Sequence, residues 1–555
     1  MRLAPILLLG LALAGWSERA DAQPRSQPSE QQRRLPGYGA PEREGVVTPS
    51  PTQPGPVPAP AAGPLVFVRE LRVEGSTVFS QDELARVTAP WTGRVIDSLE
   101  LRDAADAVTK LYVDHGYVSS GATVPDQEIE GGVLTLQVVE SVLSDVEVEG
   151  NNWYGTAYLR RRLLAAVPAP VNLNDVDAAL HLLLEERGIG HVSGELRPGL
   201  RRGETLLALK VDDSQPIGVD LIVGNTRSPE IGSVSGESLI HAASLLGLGD
   251  QLLVDLEFTD GFDQQEVDYS IPLNGYGTSL GLLFRRGDSQ IVEEFQDLDI
   301  ESDSISGGVA LRHPLIWRPE RQLWIGALGE WRHSKTTLHG QGFSFEPGAD
   351  EGESTVTALR LLGEWIQRSP SDVLAARSTL SFGLDVLGAT HNAGTLADGQ
   401  FVSWLGQAQW AHRFRQDVIS AELVTRFDIQ VSDSSLLSLE QFALGGIDTV
   451  RGYRVNQVVS DNAAVGSIEL RIPVLNHVIG RDELALAPFV DVGHAWDDND
   501  TAQKTLASVG IGLRYQIGDR LGFQAYWGQR LNDTDRQGDD LQDYGLFLRV
   551  ELRAL

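Results

Sequence analysis

The chain of 555 residues is 42% hydrophobic, but its mean hydropathy of -0.13 is too low for a bundle of membrane-spanning helices, which need about 20 consecutive apolar residues each. A formal net charge of -32 argues against nucleic acid as a partner, because nucleic-acid phosphates would be repelled. The absence of cysteine excludes thiolate metal sites, cysteine nucleophiles and disulfides.

The N-terminus has the pattern of an export signal. Arg2 supplies a positive charge, residues 3–15 form a short apolar run, and Ala20-Asp21-Ala22 fits a small-x-small cleavage site. We therefore predict a signal peptide over residues 1–22. Residues 23–64 are rich in Pro, Gln, Ser and Gly, which predicts an extended periplasmic linker without a core.

Residues 65–141 mix strand and helix signals. The segment Val66–Val73 alternates toward its end like a strand, and Ser80 with Glu83 forms a capping box at a helix start. Helical spacing of apolar residues predicts a second helix over Leu99–His115. Val133–Val139 then predicts a closing strand, so this segment is expected to form a small α+β module.

Residues 142–213 repeat that order, which predicts a second copy of the same module. The expected elements are a strand at Val146–Val148, a helix over Tyr158–Ala166, a helix capped by Asn174 and running to Glu186, and a strand at Leu206–Val211.

From residue 214 to residue 555, period-two alternation replaces the helix signals. Residues 421–431, 507–517 and 544–553 each place apolar side chains on one face and polar ones on the other. An aqueous β-sandwich also alternates, but the long strands, the charged second face and the Trp and Tyr residues near strand ends favour a transmembrane barrel with a wet lumen. About 20 residues per strand and turn allow roughly 14 to 18 antiparallel strands, enough for an aqueous channel.

Two motifs in this region are more specific. The first is Gly445-Gly446-Ile447-Asp448-Thr449-Val450-Arg451-Gly452-Tyr453, and the second is Phe489-Val490-Asp491-Val492-Gly493. Because of these two motifs, the chain resembles the pore components of two-partner secretion systems, the ShlB/FhaC/HecB-type hemolysin activation and secretion proteins. The resemblance covers nearly the whole chain, and it includes Gly116-Tyr117-Val118, the run from Ile129 to Leu136, and Leu196-Arg197-Pro198-Gly199.

The resemblance implies two polypeptide-transport-associated (POTRA) modules, POTRA 1 at 65–141 and POTRA 2 at 142–213, and an outer-membrane barrel of about 16 strands at 214–555. It also implies a loop around 444–456 that folds into the pore, with Val450, Arg451, Gly452 and Tyr453 at its tip. In the family, this Arg pairs with an Asp on the inner wall, here Asp491, which lies between Phe489 and Gly493.

Alternation supports that pairing independently. Val490 and Val492 point to one face, so Asp491 should point to the lumen, where an Arg fork gives a directional contact. Gly452 would let the loop turn where a side chain would clash. The alternative is that Arg451 and Asp491 are solvated at separate sites.

The resemblance also places the middle strand of each POTRA module at a sheet edge, where an extended client could add as a further strand. The two segments are about Ser119–Val124 and His191–Arg197. The candidate client-binding residues are Ser119, Ser120, Thr123, Val192, Glu195 and Arg197.

These features together imply a pore in the cell outer membrane, with periplasmic POTRA modules, that exports a large secreted partner protein without ATP (type Vb secretion). The alternatives are an insertase for other outer-membrane proteins and a passive porin. No catalytic residue, cofactor or metal site is expected, and the acidic run Asp497-Asp498-Asn499-Asp500 is interpreted as a solvated loop tip.

The expected partners are the secreted exoprotein, outer-membrane lipid and, during biogenesis, the barrel assembly machinery. A monomer is expected. Two features depart from the family pattern: the only plug-helix candidate, residues 29–34, is polar all round, and the chain ends in Leu555 where many outer-membrane barrels end in Phe.

Overall fold

A computed structural model describes residues 46–49 and 65–554, except residues 130, 294–295, 346–347, 393–396, 416–419, 477–481, 498–503, 519 and 535–537. The predicted signal peptide, the plug-helix candidate, most of the predicted linker and Leu555 lie outside the described residues. The first strand, β1, is Val46–Pro49.

Two compact units can be distinguished. One comprises the described residues from 46 to 215 with Asn274–Tyr276, and the other comprises the described residues from 216 to 273 and from 277 to 554. The first unit contains both α+β modules, and the second contains the long antiparallel strands.

The first module has a small sheet in the order β3-β6-β5 and a separate β2–β4 pair. The helix that starts after Ser80 is confirmed, with the predicted capping box to Glu83. The second helix starts after Asp97, which forms another capping box. The elements are β2 (Val66–Val68), β3 (Glu70–Glu74), α1 (Gln81–Thr88), a 3₁₀ turn (Ala89–Trp91), β4 (Arg94–Ile96), α2 (Ser98–Asp114), β5 (Gly121–Thr123) and β6 (Val133–Val139).

The second module repeats this order around a larger apolar core. Its elements are β7 (Val142–Glu149), α3 (Thr156–Ala166), α4 (Leu173–Leu184), β8 (Ile189–Pro198) and β9 (Glu204–Asp213). The prediction that Asn174 caps α4 is wrong: Asn172 is the N-cap, and its side chain accepts a hydrogen bond from the Asn174 backbone N–H. Both asparagines suit a cap, so the local pattern did not discriminate between them.

A carboxylate closes each module in the same way. Asp213, at the end of β9, accepts backbone N–H groups of Asn152, Trp153 and Tyr154 at 2.7, 2.8 and 3.0 Å. Glu140, just after β6, accepts the backbone N–H of Thr77 at 2.7 Å and of Val78 at 3.1 Å. In the first module, Glu140 therefore holds the turn that follows β3. In the second module, Asp213 holds the corresponding turn after β7.

The second unit is a closed antiparallel barrel in which the first strand pairs with the last. Sixteen long strands form the ring, and the two-residue β17 adds to β16 alone. The strands are β10 (Ile217–Gly224), β11 (Ser235–Ala243), β12 (Gln251–Phe258), β13 (Phe262–Pro272), β14 (Ser279–Gln290), β15 (Ile300–Trp317), β16 (Arg321–Leu338), β17 (Gln341–Gly342), β18 (Glu353–Arg368), β19 (Asp372–Gly383), β20 (Val402–Arg415), β21 (Ser420–Ser432), the inner pair β22 (Phe442–Leu444) and β23 (Val458–Ser460), β24 (Asn462–Asn476), β25 (Asp482–Trp496), β26 (Lys504–Ile517), β27 (Leu521–Arg530) and β28 (Leu546–Arg553).

Alternation along the barrel strands is as predicted. On β28, Leu548 and Val550 are exposed on the outer face, whereas Phe547 and Arg549 are buried on the inner face. The predicted strand start at Tyr544 is wrong, because Leu541–Tyr544 forms a 3₁₀ turn and β28 begins at Leu546. Among the described helices, none is both long enough and apolar enough to cross a bilayer.

Candidate functional site: a pore-folded loop and two sheet edges

The connection between β21 and β24, residues 433–461, folds against the inner face of the barrel wall. We call it the pore loop. It carries the β22–β23 hairpin and a 3₁₀ turn, Ser438–Glu440. Phe442 and Val450 of the loop pack with Ala463 and Leu506 of the wall strands, and all four are buried. The loop is therefore longer than the segment predicted around 444–456, because apolar side chains on both sides of the motif also find partners on the wall.

The predicted pair of Arg451 and Asp491 is formed. The Arg451 Nε and Nη2 atoms donate to the two Asp491 carboxylate oxygens, each at 2.8 Å, and the Arg451 backbone N–H donates at 3.0 Å. Asp491 is fully buried, whereas its neighbours Val490 and Val492 are exposed on the outer face. Alternation on β25 thus places the carboxylate in the lumen, and the fork-to-carboxylate geometry orients the loop tip.

A second carboxylate, missed by sequence reasoning, completes this contact. Glu469 on β24 accepts a hydrogen bond from Arg451 Nη1. The guanidinium also lies 3.6 Å from the ring centroid of Phe489 and 5.0 Å from that of Tyr526. The Arg451 guanidinium therefore contacts two carboxylates and two aromatic rings, and all four contacts stabilise its position. Inward-facing position on an alternating strand was the only signal for Glu469.

Two glycines allow the close approach of loop and wall. Gly452 has φ +95°, and a Cβ there would lie 2.8 Å from the Gly528 carbonyl oxygen. A Cβ on Gly493 would lie 2.8 Å from a Val450 methyl group. A side chain at either position would separate the loop from the wall.

Tyr453 and Arg454 extend the attachment. The buried Tyr453 hydroxyl donates to the Ala507 carbonyl at 2.8 Å. Arg454 donates to Glu293 at 2.6 and 3.0 Å and to Asp543 at 2.6 Å through both Nε and Nη2. Glu293 follows β14 and Asp543 precedes β28, so the loop is linked to connections distant in sequence, which no local motif predicts.

The first predicted client edge is partly as expected. β5 lies at the edge of its sheet, next to β6. Ser119 and Thr123 are exposed, but Ser120 is buried and accepts the Ser141 backbone N–H at 3.0 Å. The prediction that the Ser120 side chain meets a client is therefore wrong, because the side chain is buried and its hydroxyl is bonded to the Ser141 backbone.

The second predicted edge is covered. β1 pairs in parallel with β8, with Val46 opposite Ser193 and Pro49 opposite Leu196, so β8 is not the edge strand of its sheet. The prediction of an open edge at His191–Arg197 is therefore wrong, because a segment of the predicted linker uses its backbone groups.

Of the side chains predicted in that segment, Val192 is fully buried in the module core, since β8 alternates between core and surface. Glu195 and Arg197 share the outer face and form an ion pair, with Arg197 Nε 2.9 Å from Glu195.

Within the described residues, no three His, Asp or Glu side chains are grouped as a metal site. Asp497, the one described member of the acidic run, accepts the Ser460 hydroxyl at 2.6 Å and the Asp461 backbone N–H at 2.7 Å. It therefore fastens the end of the pore loop, and its interpretation as a solvated tip is wrong. The rest of the run lies outside the described residues.

A closed barrel whose lumen holds a loop of its own chain, preceded in sequence by two α+β modules, defines an outer-membrane transport pore. Residues 203–515 match the haemolysin secretion/activation protein family ShlB/FhaC/HecB, and residues 66–141 match the POTRA domain of ShlB type. The chain belongs to this family, since the first match covers more than half of it. The barrel therefore lies in the outer membrane and the POTRA modules in the periplasm, as the resemblance implied.

Among relatives, the heme/hemopexin transporter protein HuxB of Haemophilus influenzae (strain 86-028NP) is 22% identical over 78% of this chain and 78% of its own. The outer membrane transporter CdiB of Escherichia coli (O6:K15:H31, strain 536) is 23% identical over 79% of this chain and 75% of its own. Among solved structures, CdiB from Escherichia coli superimposes with a TM-score of 0.69 at 21% identity, covering 90% and 93% of the two chains. This likeness confirms the predicted fold.

Proposed function

We propose that this protein is the outer-membrane pore that recognises one large secreted partner protein and exports it through the barrel lumen. The observation that carries the proposal is the pore loop, which is fastened inside a closed barrel by Arg451 and Asp491. A passive porin has no need of POTRA modules. Family membership supports a transport role, and we propose no catalytic role and no cofactor.

The Arg451–Asp491 contact is proposed to hold the pore loop at rest and to break when the client passes. A charge-assisted, bidentate contact orients the loop strongly but can exchange for contacts with water or client. The periplasm supplies no ATP, so folding of the client outside the cell is proposed to supply the free energy of export.

The client is proposed to enter along the POTRA sheets as an added strand. β5 offers its outer edge in POTRA 1, whereas β8 in POTRA 2 is covered by β1. A client strand would therefore have to take the place of residues 46–49.

We also propose the division into signal peptide (1–22), linker (23–64), POTRA 1 (65–141), POTRA 2 (142–213) and barrel (214–555). We further propose that outer-membrane lipid surrounds the barrel and that the barrel assembly machinery acts on it during biogenesis. The protein is proposed to be a monomer.

Secretion of the exoprotein encoded beside this gene tests the export function. In a neutral host, client in the medium is compared for the wild type, Arg451→Ala, Arg451→Lys and no transporter. We expect roughly tenfold or greater loss for Arg451→Ala and substantial loss for Arg451→Lys, because lysine keeps the charge but lacks the fork. Arg286→Ala, at an exposed arginine of β14, is the matched control and should secrete normally.

Each variant must still migrate as a heat-modifiable barrel, which separates transport from assembly. Secretion that is equal with and without this protein would overturn the export function. If other outer-membrane proteins then failed to assemble in its own host, the insertase alternative would replace it.

The covered edge is tested with cysteines, because the chain has none of its own. Val46→Cys with Ser193→Cys would join β1 to β8 at paired positions. Glu149→Cys with Lys210→Cys joins β7 to β9 within the same sheet and is the control. We expect oxidation to block secretion with the first pair, reversibly by reductant, and to leave the control unaffected. Normal secretion with the oxidised β1–β8 pair would show that the client does not need this edge.

A further inference from the structure

The pore loop touches the barrel wall at a second place, ahead of the Arg451 motif. We propose that Glu440 is a positioning residue that holds the leading half of the loop against β16 and β18, as an anchor independent of Arg451. The inference rests on the proposed function, since it concerns how the pore is kept closed.

The contact is made by two arginines of the wall. Arg360 on β18 donates from Nη2 to Glu440 Oε1 at 2.8 Å and from Nη1 to Oε2 at 3.0 Å. Arg332 on β16 donates from Nη1 to Glu440 Oε1 at 3.1 Å and to the Leu439 carbonyl at 2.7 Å. The fork and the extra carbonyl contact define the position of both the Glu440 side chain and the backbone beside it.

Charge balance makes Glu440 necessary to this cluster. Glu330 on β16 accepts from Arg360 Nε at 2.9 Å and lies 3.3 Å from Arg332 Nη2. All four residues are at most 5% exposed, and two cations face two anions. Removing the Glu440 charge would take away one of the two carboxylates that the buried guanidiniums share. Uncompensated buried charge is costly, so the variant loop should leave this position and admit water.

Apolar packing defines the same attachment. Leu436, Leu437 and Leu439 of the loop are buried with Val356 of β18 and Phe401 next to β20. The Glu440 carbonyl also accepts a hydrogen bond from the Gln430 side chain on β21 at 3.0 Å. A segment with buried leucines and a satisfied carboxylate is built into the wall, whereas a solvated linker would show neither.

The two anchors lie on different parts of the ring. Arg332 and Arg360 are on the adjacent strands β16 and β18, whereas Asp491 and Glu469 are on the adjacent strands β25 and β24. Three further strands, β19, β20 and β21, lie between the two pairs. Groups this far apart contribute nearly independently, so loss of one anchor should free its own half of the loop first.

Thiol labelling tests this independence directly. Ser438→Cys reports on the leading half and Thr449→Cys on the motif half, and both positions are buried in the wild type. Each probe is placed in three backgrounds, Glu440→Gln, Arg451→Ala and Glu266→Gln, and the purified full-length protein is labelled with a membrane-impermeant maleimide. Glu266 is a matched control, since it is a buried carboxylate that Arg285 binds at 3.0 Å on the neighbouring wall strand.

With Glu440→Gln, we expect about tenfold faster labelling at position 438 and less than about twofold change at 449, because local opening exposes only the freed segment. Arg451→Ala should give the reverse, and Glu266→Gln should change neither. Equal acceleration of both probes by either variant would overturn the independent anchor, as would unchanged labelling at 438. Glu440→Asp, which keeps the charge, should label more slowly than Glu440→Gln, and equal rates would show that charge is not what holds the segment.

Channel recording in planar lipid bilayers supplies the functional readout without any client. More frequent open-channel events with Glu440→Gln than with Glu266→Gln support a closing role, and equal frequencies overturn it. Because no exoprotein is present, this result stands apart from the secretion assay. Failure of the wild type to secrete the exoprotein would overturn the export function. The role of Glu440 would then still be tested by labelling and conductance.

Discussion

The interior of POTRA 2 and the interior of the barrel are filled with opposite kinds of side chain. In POTRA 2, the core consists of apolar side chains such as Leu180, Leu183 and Leu207, all fully buried. In the barrel lumen, the buried side chains include Arg360, Glu440 and other charged groups. Apolar burial needs no specific partner, whereas each buried charge needs an opposite one. A substitution in the module should therefore affect folding, and one in the lumen should affect the position of the loop.

The barrel can have a charged interior because its apolar surface faces lipid. On β25, for example, Val490 and Val492 are about half exposed while Asp491 between them is fully buried. The bilayer thus takes the place that the hydrophobic core has in POTRA 2. Three variants and one pH series would sharpen or break this contrast.

The largest effect is expected for Leu207→Ala in POTRA 2. Leu207 is fully buried, so truncation should lower the free energy of unfolding of the module by about 2–5 kcal/mol. Unfolding of the full chain in denaturant, monitored by limited proteolysis, would measure this loss of unfolding free energy. Leu200→Ala is the matched control, because Leu200 is fully exposed and should change stability little. The contrast would be lost if the two variants were equally stable.

An arginine on the lipid-facing side comes next. Phe284 on β14 is 46% exposed on the outer face, and Phe284→Arg should destabilise the barrel by about 2–4 kcal/mol if it lies near the bilayer midplane. The temperature of the heat-modifiable band shift would report the loss. Leu200→Arg, in the periplasmic module, should leave that temperature unchanged. A barrel indifferent to Phe284→Arg would mean that this face does not meet lipid.

A smaller effect is expected for Asp213→Asn. The carboxylate accepts three backbone N–H groups, and an amide keeps one oxygen but loses the charge, so the loss should be about 1–3 kcal/mol. Hydrogen exchange of the Asn152, Trp153 and Tyr154 amides should accelerate in the full chain. Exchange that accelerates equally across the module would instead indicate global unfolding, and no acceleration would contradict the role given to Asp213.

The smallest effect is a pH dependence confined to the POTRA modules. Burial alone would raise the pKa of Glu140 and of Asp213, but hydrogen bonds, from Thr77 in the first case and chiefly from Tyr154 in the second, hold both pKa values below their usual range. A carboxyl with a lowered pKa stabilises the fold above its unfolded pKa of about 4, and this contribution is lost as pH falls through the folded value. Module stability should therefore fall on acidification below about pH 4, and less steeply in Asp213→Asn. Equal slopes would contradict the assignment.

Much of the candidate site could be predicted from local pattern. The alternation of Val490, Asp491 and Val492 predicts that the carboxylate faces the lumen, and the family resemblance of the motif around Arg451 implies its partner. Glu440 and Arg454 could not be predicted, because their partners lie 80 to 161 residues away. Short motifs report backbone conformation and face, but they carry no information about which distant wall strand a loop will meet.

The covered edge of POTRA 2 shows the same limit. The strand β8 is evident from alternation, yet nothing in its own residues reveals that residues 46–49 pair with it, because backbone hydrogen bonds leave no trace in side-chain chemistry. By itself, the sequence determined the two modules and the barrel through periodicity, and the family resemblance of its motifs implied the Arg451–Asp491 pair. Only the tertiary structure decided how far the pore loop is fastened and which sheet edge is open, because both depend on contacts between segments distant in the chain.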